Sequence, residues 1–426
     1  MSLVVMFTVL IVLLVFGVPV AFSIGGSGIV YMLLSQPSFL LSLPQRIWSG
    51  TNSFIIIAMP LFMMAGELMN HSGLTKRLID FSLLLVRPFK GGLGEVNVIA
   101  SMIFGGITGS SVADTSAIGS ILIPDMIEKG YPRGFTTGVT VASSTMGMII
   151  PPSIPMLMYA MVSGASVGKL FIAGLIPGVL VGLFQLVYTF VVSKKRNYPQ
   201  ETEPMTKREI LTTAKEGSLA VLMPLLIIVT VSFGIATASE SAGIALLYAL
   251  ILGFFVYREL KVKHIIQSLK KTAVMTSSIM IIGGFTMVFT WALAIEQVPN
   301  AIATFLLTSS IPYWVVLVLL DLLILLLGTF LDVVPCILLI APIFLPVMRQ
   351  LGMEELQFGM ILIVGLAIGL VTPPVGMCLN VGAKISGMSI VKIFKSAVPF
   401  LICNLIVLLL VTFIPSVSLF LPSLIL

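Results

Sequence analysis

One ten-residue pattern occurs twice in this chain, once in each half. V-S-G-A-S-V-G-K-L-F covers residues 162–171, and I-S-G-M-S-I-V-K-I-F covers residues 385–394, 223 positions later in a chain of 426 residues. A Gly-x-x-x-Pro-Pro sequence precedes each copy, at Gly147–Pro152 and at Gly369–Pro374. Similarity at a fixed offset, with a proline pair at the same place in both copies, predicts a fold built from two related halves.

The composition indicates a membrane protein. Hydrophobic residues make up 58% of the chain and charged residues 9%, and the mean hydropathy is +1.16, whereas a soluble domain carries roughly 25% charge. Apolar runs of about 20 residues, long enough to cross the bilayer core, recur along the whole length. We therefore expect an all-α, multi-pass protein surrounded by the lipid bilayer. The net charge of +6 comes from basic loops and gives no reason to expect a nucleic-acid partner.

Two further features bear on the class of protein. No Lys or Arg precedes the first apolar run, about residues 3–22, so we expect a retained span there and not a signal peptide. Cys336, Cys378 and Cys403 lie in apolar context without the spacing of a metal site, and we expect them to be packing residues.

The basic residues indicate the orientation of the spans. They cluster in five regions, whereas the stretch between Lys271 and Arg349 contains none. Under the positive-inside rule the clusters lie in the cytoplasm and the empty stretch lies outside. The clusters are Lys76, Arg77, Arg87 and Lys90; Lys129 and Arg133; Lys194, Lys195, Arg196, Lys207, Arg208 and Lys215; Arg258, Lys261, Lys263, Lys270 and Lys271; and Lys384, Lys392 and Lys395.

Each half begins with three predicted spans, and the two sets run in opposite senses. The first set leads from outside to a basic loop at 71–93, and the second leads from inside to outside near Glu296. Glu67 and Glu296 follow the third span of each half on opposite faces. The halves are therefore predicted to be inverted relative to each other, with both chain termini outside. The predicted spans are about 3–22, 26–43 and 51–70 in the first half, and about 218–236, 240–257 and 273–294 in the second.

A second pair of features indicates two re-entrant helical hairpins. One is F-G-G-I-T-G-S-S-V-A-D-T-S at Phe104–Ser116, and the other is L-L-G-T-F-L-D-V-V-P at Leu326–Pro335. Each interrupts an apolar run, at 91–127 and at 312–347, whose two ends carry charges on the same predicted face. Non-helical backbone at membrane depth persists only when it is buried in protein or lines a wet cavity.

The proline pairs predict broken helices at about Met148–Ser153 and Val371–Gly376. Proline removes a backbone donor and clashes with the preceding turn. A break frees carbonyl oxygens that, with Ser and Thr hydroxyls and a carboxylate, suit a hard cation such as Na⁺. The N-terminal ends of the half-helices suit an anion. We therefore predict that a hairpin tip and a break from one half form one ion site, and that the other half forms a second.

Structural alternatives exist for each of these features. A Gly-Ser-Ser sequence is often only a close helix contact, and a proline pair can be a simple kink. Asp114 and Asp332, at matching places in the two tips, either cap the tips or act near an ion site. A carboxylate at membrane depth costs about 2.5–3.5 kcal/mol. Because both features recur in the same order in both halves, the functional interpretation is favoured.

Four residues at the breaks are candidates for the substrate site. Asn380 and Lys384 follow the second break by one and two turns, and Ser153 and Gly376 lie at the ends of the two breaks. Lys384 has two open interpretations, as a partner of an anionic substrate or as a cytoplasmic positive-inside residue.

Three motifs resemble the large membrane subunit, of the DctM or SiaM type, of tripartite ATP-independent periplasmic (TRAP) transporters. They are G-S-S-V-A-D-T-S at Gly109–Ser116, I-I-P-P-S-I-P at Ile149–Pro155 and L-V-T-P-P-V-G at Leu370–Gly376. The resemblance covers nearly the whole chain. It implies an elevator-type fold of the ion-transporter superfamily, in which a scaffold holds a mobile transport domain. It also implies a location in the bacterial inner membrane, with the N- and C-termini on the periplasmic side.

The resemblance further implies a function, partners and ion ligands. The function is Na⁺-coupled uptake of an organic anion of the sialic acid or C4-dicarboxylate type. The partners are a periplasmic solute-binding protein of the DctP or SiaP type and a small four-span membrane subunit of the DctQ or SiaQ type. By motif, the first Na⁺ site uses Ser110, Ser111 and the backbone near Gly147, Pro151 and Pro152, and the second uses Gly328, Thr329 and the backbone near Thr372 and Pro373. Asp114 and Asp332 are assigned to the same two sites.

The same framework predicts a domain organisation. Residues 1–93 are the first scaffold repeat, with an amphipathic arm at 71–90, and residues 94–192 are the first part of the transport domain. A cytoplasmic linker at 193–217 follows. Residues 218–311 are the second scaffold repeat, and 312–426 complete the transport domain. A basic amphipathic segment at Arg258–Lys271 is expected to lie against the membrane or brace the moving domain.

Two other classes of function stay open at this stage. A stand-alone symporter of an organic anion with Na⁺ or H⁺ shares the inverted architecture and needs no binding protein. A membrane-embedded enzyme is the least favoured. Its best feature is Gly164-Ala165-Ser166, but Ser166 is mirrored by Ser389, and the two histidines, His71 and His264, lie in basic loops. No catalytic residue is predicted, and the identity of the organic acid is beyond the sequence.

The inverted topology makes a direct prediction for two repeat-related lysines. A cysteine at Lys169 should react with a membrane-impermeant thiol reagent added outside intact cells, whereas one at Lys392 should react only after the membrane is opened. Labelling of the Lys169 position only from the cytoplasm would show that the predicted topology is wrong.

Overall fold

The computed structural model describes residues 2–86, 91–200, 206–309 and 311–425. Within these ranges the protein is helical, without strands, and nine helical segments are long and apolar enough to cross a membrane. The prediction of an all-α, multi-pass membrane protein is therefore confirmed. The basic residues Arg87 and Lys90, which belong to the predicted loop at 71–93 and arm at 71–90, lie outside the described residues.

In the first half, the described residues form eleven α-helices and one 3₁₀ turn. The turn covers Pro37–Ser42, between the second and third helices. The helices are α1 (Ser2–Val15), α2 (Val20–Ser35), α3 (Leu43–Thr51), α4 (Phe54–His71), α5 (Leu74–Val86), α6 (Gly92–Thr108), α7 (Ser111–Glu128), α8 (Arg133–Ser143), α9 (Met146–Ile149), α10 (Ile154–Ser163) and α11 (Val167–Arg196).

Between residues 206 and 425, without residue 310, the second half forms ten α-helices and one short π-helical segment. The π-helical segment covers Leu252–Val256 and extends the second of these helices. The helices are α12 (Lys207–Ser232), α13 (Ala238–Ile251), α14 (Val262–Ile295), α15 (Val298–Thr308), α16 (Tyr313–Phe330), α17 (Val333–Gln350), α18 (Glu355–Gly369), α19 (Met377–Ser386), α20 (Ile390–Phe413) and α21 (Ser416–Ile425).

The predicted boundaries of the first two spans are wrong. The run at 3–22 is divided into α1 and α2, which pack against each other. Gly17 between them has φ of +77°, and Pro19 has no N–H to continue α1. The run predicted at 26–43 ends at Ser35, because Pro37 begins the 3₁₀ turn. The third predicted span, 51–70, agrees with α4.

Two segments that we expected to lie outside the spans, 193–217 and 258–271, partly extend the neighbouring helices. The predicted linker at 193–217 is shorter, because α11 runs to Arg196 and α12 begins at Lys207. A capping box formed by Thr206 and Glu209 fixes the start of α12. In the same way, most of the basic segment Arg258–Lys271 forms the first turns of α14. Its predicted place against the membrane or the moving domain stays a prediction.

The two halves have the same order of helices from α5 and α15 onward. At an offset of about 222 residues, α6 and α7 match α16 and α17, α10 matches α19, and α11 matches α20. The helices α8 and α9 together match α18. Both predicted breaks are confirmed, because non-helical backbone separates α9 from α10 and α18 from α19. The inversion of one half relative to the other stays a prediction.

Two groups of helix–helix contacts hold the two halves together. The helices α2, α3 and α4 pack on α14, and α4 also packs on α13. The later helices interlock across the halves, since α10 packs on α17, α19 on α7, and α20 on α8. The buried side chains of this second group belong to one continuous hydrophobic cluster. This arrangement buries the first break, whereas part of the second tip and of the second break is exposed. The predicted division into scaffold and transport domains stays a prediction.

Candidate functional site

The first hairpin tip consists of Gly109 and Ser110, between α6 and α7. Gly109 has φ of +62°, a left-handed conformation that ends α6 and that glycine adopts without steric cost. Ser110 has extended backbone, and its Oγ accepts a hydrogen bond from the N–H of Ala113 at 3.5 Å. The tip is therefore a helix C-cap followed at once by a helix N-cap.

The first break, residues 150–153, lies directly against this tip. Pro151 and Pro152, joined by a cis peptide bond, have no N–H, and Ser153 caps α10 by accepting a hydrogen bond from Met156 N at 3.4 Å. The N–H of Ile154 donates to the carbonyl oxygen of Gly109 at 3.4 Å. A backbone hydrogen bond thus connects the break to the hairpin tip.

Glycines make the close approach of tip and break possible. A Cβ on Gly105 would lie 2.7 Å from the Cα of Gly147, and a Cβ on Gly109 would lie 2.9 Å from the carbonyl oxygen of Pro152. A Cβ on Gly147 would lie 3.3 Å from the carbonyl oxygen of Ser110. The structure therefore brings together the predicted residues Ser110, Ser111, Gly147, Pro151 and Pro152.

Several oxygen atoms around this contact have no hydrogen-bond donor. The hydroxyl of Ser111 and both carboxylate oxygens of Asp114 are buried, and no described group lies at hydrogen-bonding geometry to them, although the Ser101 hydroxyl is close enough to interact with Asp114. Within the described residues, no N–H or O–H donates to the carbonyl oxygens of Pro151 and Pro152 either. Buried polar atoms without partners are rare and costly. Carbonyl, hydroxyl and carboxylate oxygens are the donor types that a hard cation prefers, so the residues present fit Na⁺.

The second tip and break repeat this contact with different side chains. The N–H of Val375, in the break, donates to the carbonyl oxygen of Thr329 at 3.2 Å. A Cβ on Gly369 would lie 2.5 Å from the carbonyl carbon of Gly328. The hydroxyl of Thr372 donates to the carbonyl oxygen of Ile368 at 2.9 Å. Gly328 and Thr329 are thus brought against the break that contains Thr372 and Pro373, as predicted from the motifs.

The two contacts differ in how enclosed they are. All residues from 141 to 160, including the first break, are buried, whereas Pro374 and Val375 of the second break are exposed. The matched aspartates differ in the same sense. Asp114 is fully buried without a hydrogen-bond partner, whereas Asp332 is exposed and accepts a hydrogen bond from the N–H of Val333 at 2.8 Å. The alternative that the aspartate only caps its tip therefore fits Asp332 better than Asp114.

A cavity of about 350 Å³ lies between the two tips and helix α14. The first tip contributes Gly109–Val112, the second contributes Asp332–Pro335, and Met377 comes from the start of α19. The α14 side chains on the opposite wall are Val274, Met275, Ser278, Ile279 and Ile282. A second cavity of about 220 Å³ shares five lining residues with the first. Together they are large enough for a small organic molecule.

The four residues predicted for the substrate site lie near the breaks and do not line these two cavities. Ser153 is buried as the N-cap of α10, and Gly376, with φ of +47°, is the N-cap of α19. The amide of Asn380 donates to the carbonyl oxygen of Val375 at 2.7 Å. Lys384 is exposed on the last turn of α19.

A buried polar network behind the first tip was missed by the sequence interpretation. Thr115 Oγ1 donates to Ser144 Oγ at 2.7 Å, which connects the first tip to helix α8. The signal was present in the sequence, because Thr136, Thr140 and Ser143 form a polar stripe at helical spacing. The other bonds of the network join Asn97 to Thr140 at 2.6 Å, Ser101 to Ser143 at 2.9 Å, Gln185 to Asn404 at 2.7 Å and Asn404 to Thr145 at 2.9 Å.

An ion pair at the cavity wall was also missed. Lys271 of α14 donates to the Oε1 of Glu67 of α4, and both side chains line the smaller cavity. We had interpreted the two residues only as markers of orientation. Their pairing depends on the packing of α4 against α14, which sequence spacing does not reveal.

Comparisons with known proteins agree with the fold and the motifs. The family described as "Tripartite ATP-independent periplasmic transporter, DctM component" matches residues 7–417. The chain is 36% identical over 412 residues to the sialic acid TRAP transporter large permease protein SiaM of Vibrio cholerae, across 97% of this chain and 96% of that relative. It is 35% identical over 401 residues to the C4-dicarboxylate TRAP transporter large permease protein DctM of Pseudomonas aeruginosa, across 94% of each. The solved YdaH transporter of Alcanivorax borkumensis has a similar fold, with a TM-score of 0.63 and 15% identity over 91% of this chain and 88% of that one.

The glycine contact at the second tip predicts an unequal effect of two Gly→Ala substitutions. Gly369→Ala should lower the free energy of unfolding by roughly 1–3 kcal/mol, because the new methyl group overlaps the backbone of Gly328. Gly243→Ala is the matched control, since its Cβ would meet nothing within 4 Å in the interior of α13, and it should leave stability unchanged or slightly raised. Thermal unfolding of the purified variants measures both. Equal stability of the two would contradict the close backbone contact.

Proposed function

The chain belongs to the DctM component family of tripartite ATP-independent periplasmic transporters, and we propose that it couples the inward movement of Na⁺ to the uptake of an organic anion. Membership makes it a large permease subunit, a multi-pass membrane protein of a transport system. The coupling ion, the substrate and the mode of movement are parts of the proposal.

The observation that carries the proposal is the set of unpaired buried oxygens at the first tip and break. Ser111 and Asp114 offer three such oxygens on helix α7. The carbonyl oxygens of Pro151 and Pro152 approach Gly106 and Gly109 of the same hairpin. When Na⁺ is bound there, its charge compensates the carboxylate and satisfies the lone pairs. Ser110 and the glycines hold the tip against the break, so that the oxygen set is already assembled. Occupancy of this site therefore stabilises the tip that also lines the larger cavity.

The proposed substrate is an organic acid. Two relatives that are about one-third identical carry names that specify sialic acid and C4-dicarboxylates, and both classes bear carboxylates. Ser110 and Ser111 line the larger cavity with the N-terminal end of α7, where N–H groups and the helix dipole favour an anion. An anion at this place is close to the proposed cation site, which supports binding of the two together.

The proposed partners follow from the tripartite family. A periplasmic solute-binding protein of the DctP or SiaP type delivers the anion to the periplasmic face. A small membrane subunit of the DctQ or SiaQ type packs against the permease. Part of the substrate selectivity then belongs to the binding protein.

We propose an elevator movement for transport. The second arm of each hairpin packs on the helix that follows the break of the other half, α7 on α19 and α17 on α10. These contacts support movement of both tips and both breaks as one body. The cavities lie between this body and α4 and α14, which would form the fixed wall. Inversion of the two halves, with both termini periplasmic, would let the same body open to either side of the bacterial inner membrane.

H⁺ is the second candidate for the coupling ion. The observation that favours it is Asp114, a buried carboxylate without a hydrogen-bond partner, which can hold a proton at low cost. A membrane-embedded enzyme is not proposed. Ser166 caps helix α11, and the imidazole rings of His71 and His264 stack on each other at 4.9 Å, so each has another structural role.

The Na⁺ proposal predicts a specific change on removal of one hydroxyl. Ser111→Ala should raise the Na⁺ concentration for half-maximal uptake roughly tenfold, because a ligand to the ion is lost, about 1.4 kcal/mol. Ser120→Ala is the matched control on the exposed face of the same helix. The assay is uptake of radiolabelled succinate or N-acetylneuraminate into proteoliposomes that contain all three components.

Two results of this assay would count against the proposal. An unchanged Na⁺ response of Ser111→Ala would remove this hydroxyl from the ion site. Uptake by the wild type that is driven equally well by a pH gradient without Na⁺ would replace Na⁺ by H⁺ as the coupling ion.

A further inference from the structure

The smaller cavity is formed by both proposed bodies of the transporter. Helix α4 contributes Met63, Gly66, Glu67 and Asn70, and α14 contributes Lys271, Thr272 and Met275. The opposite side comes from the first tip and helix α7. Any molecule that occupies this cavity contacts the fixed wall and the moving tip at the same time.

The charges on this wall form one pair. Lys271 is the only basic residue among those that line the two described cavities, and Glu67 is its partner. The Glu67 side chain is 15% exposed, whereas the Lys271 side chain is 55% exposed. Glu67 is therefore the more enclosed partner of the pair, and the Lys271 side chain is the more exposed one. Such a geometry leaves Lys271 accessible to a second carboxylate.

Thr272, the residue after Lys271, carries a hydroxyl group that has no hydrogen-bond partner. Thr272 is 4% exposed and lines the same cavity, and its hydroxyl has no hydrogen-bond partner. A threonine in a helix commonly satisfies its hydroxyl on a carbonyl of the preceding turn. The Thr272 hydroxyl is itself shielded from the cavity, so Lys271 is the cationic donor that this part of the wall presents, and an ammonium group suits a carboxylate.

From these observations we propose that Lys271 is the carboxylate-binding residue of the smaller cavity. In the absence of substrate, Glu67 forms an ion pair with the Lys271 ammonium group, and an organic carboxylate displaces Glu67 from it. The proposal rests on the proposed function of organic-anion uptake and adds the residue that recognises the anion on the wall side. Glu67 acts as an internal competitor. Glu67 compensates the charge of Lys271 and excludes anions that bind the Lys271 ammonium group more weakly than Glu67 does.

This exchange predicts opposite effects of two substitutions. Lys271→Gln removes the cation and should weaken carboxylate binding about tenfold or more. Glu67→Gln removes the competitor and should strengthen binding severalfold. An ion pair with a purely structural role predicts changes of the same sign, because either substitution breaks the same bond.

The experiment measures binding to the purified full-length chain, without the binding protein. Succinate and N-acetylneuraminate are titrated at saturating NaCl, and the concentration that gives half of the rise in unfolding temperature is determined. Succinamide, which lacks the charge, should give no rise. Lys270→Gln is the matched control, because Lys270 is exposed on the same helix and does not line the cavity.

The double variant with Lys271→Gln and Glu67→Gln keeps a neutral pair that can hydrogen-bond. We expect it to behave like Lys271→Gln alone, since a competitor has no effect once the cation is gone. It also tests the proposal if one single variant fails to fold.

Three results would overturn the proposal. They are shifts of the same sign in the two single variants, an effect of Lys270→Gln as large as that of Lys271→Gln, and a wild-type chain that Na⁺ stabilises but neither carboxylate does. The last result leaves the Na⁺ site intact. Conversely, opposite shifts without any stabilisation by Na⁺ would support this inference and contradict the Na⁺ coupling.

Discussion

The structure depends on the contact between a hairpin tip and a broken helix. Within a bilayer, backbone polar groups have no water to bind and need partners in the protein. The proline pairs remove donors at Pro151–Pro152 and Pro373–Pro374, so the carbonyls around them cannot be satisfied by a continuous helix. One backbone hydrogen bond from each break, at Ile154 and at Val375, attaches it to the tip of the same half. The remaining oxygens are left beside the tip, and this is why these two places are candidates for cation binding.

The two halves use this contact differently. In the first, the break is buried, the tip lines the larger cavity, and a polar network behind the tip runs through Ser144 to α8. The second is open to the larger cavity through Asp332. In the second half, the residues that match the polar stripe of α8 are apolar. A common backbone arrangement therefore has a buried break in one half and a partly exposed break in the other.

The features that sequence analysis predicted correctly are those that local chemistry determines. A proline pair removes two backbone donors, and Gly109 adopts a left-handed conformation that ends a helix. Both breaks and the helix–tip–helix units were therefore found at the right residues. The first two spans were misplaced because hydropathy alone did not weigh Pro19 and Pro37. The Glu67–Lys271 pair and the cavities were beyond the sequence, since they depend on which helices pack together. Asn380 and Lys384 are close to a break in sequence, yet their side chains do not line the described cavities.

We propose that unpaired oxygens at the tip–break contacts bind Na⁺. Thermal unfolding of the purified chain measures this binding directly. The unfolding temperature is measured in increasing NaCl and in choline chloride at the same ionic strength. We expect a saturable rise of a few degrees in NaCl alone, because a ligand that binds only the folded state stabilises it. Identical unfolding temperatures in the two salts at every concentration would contradict it.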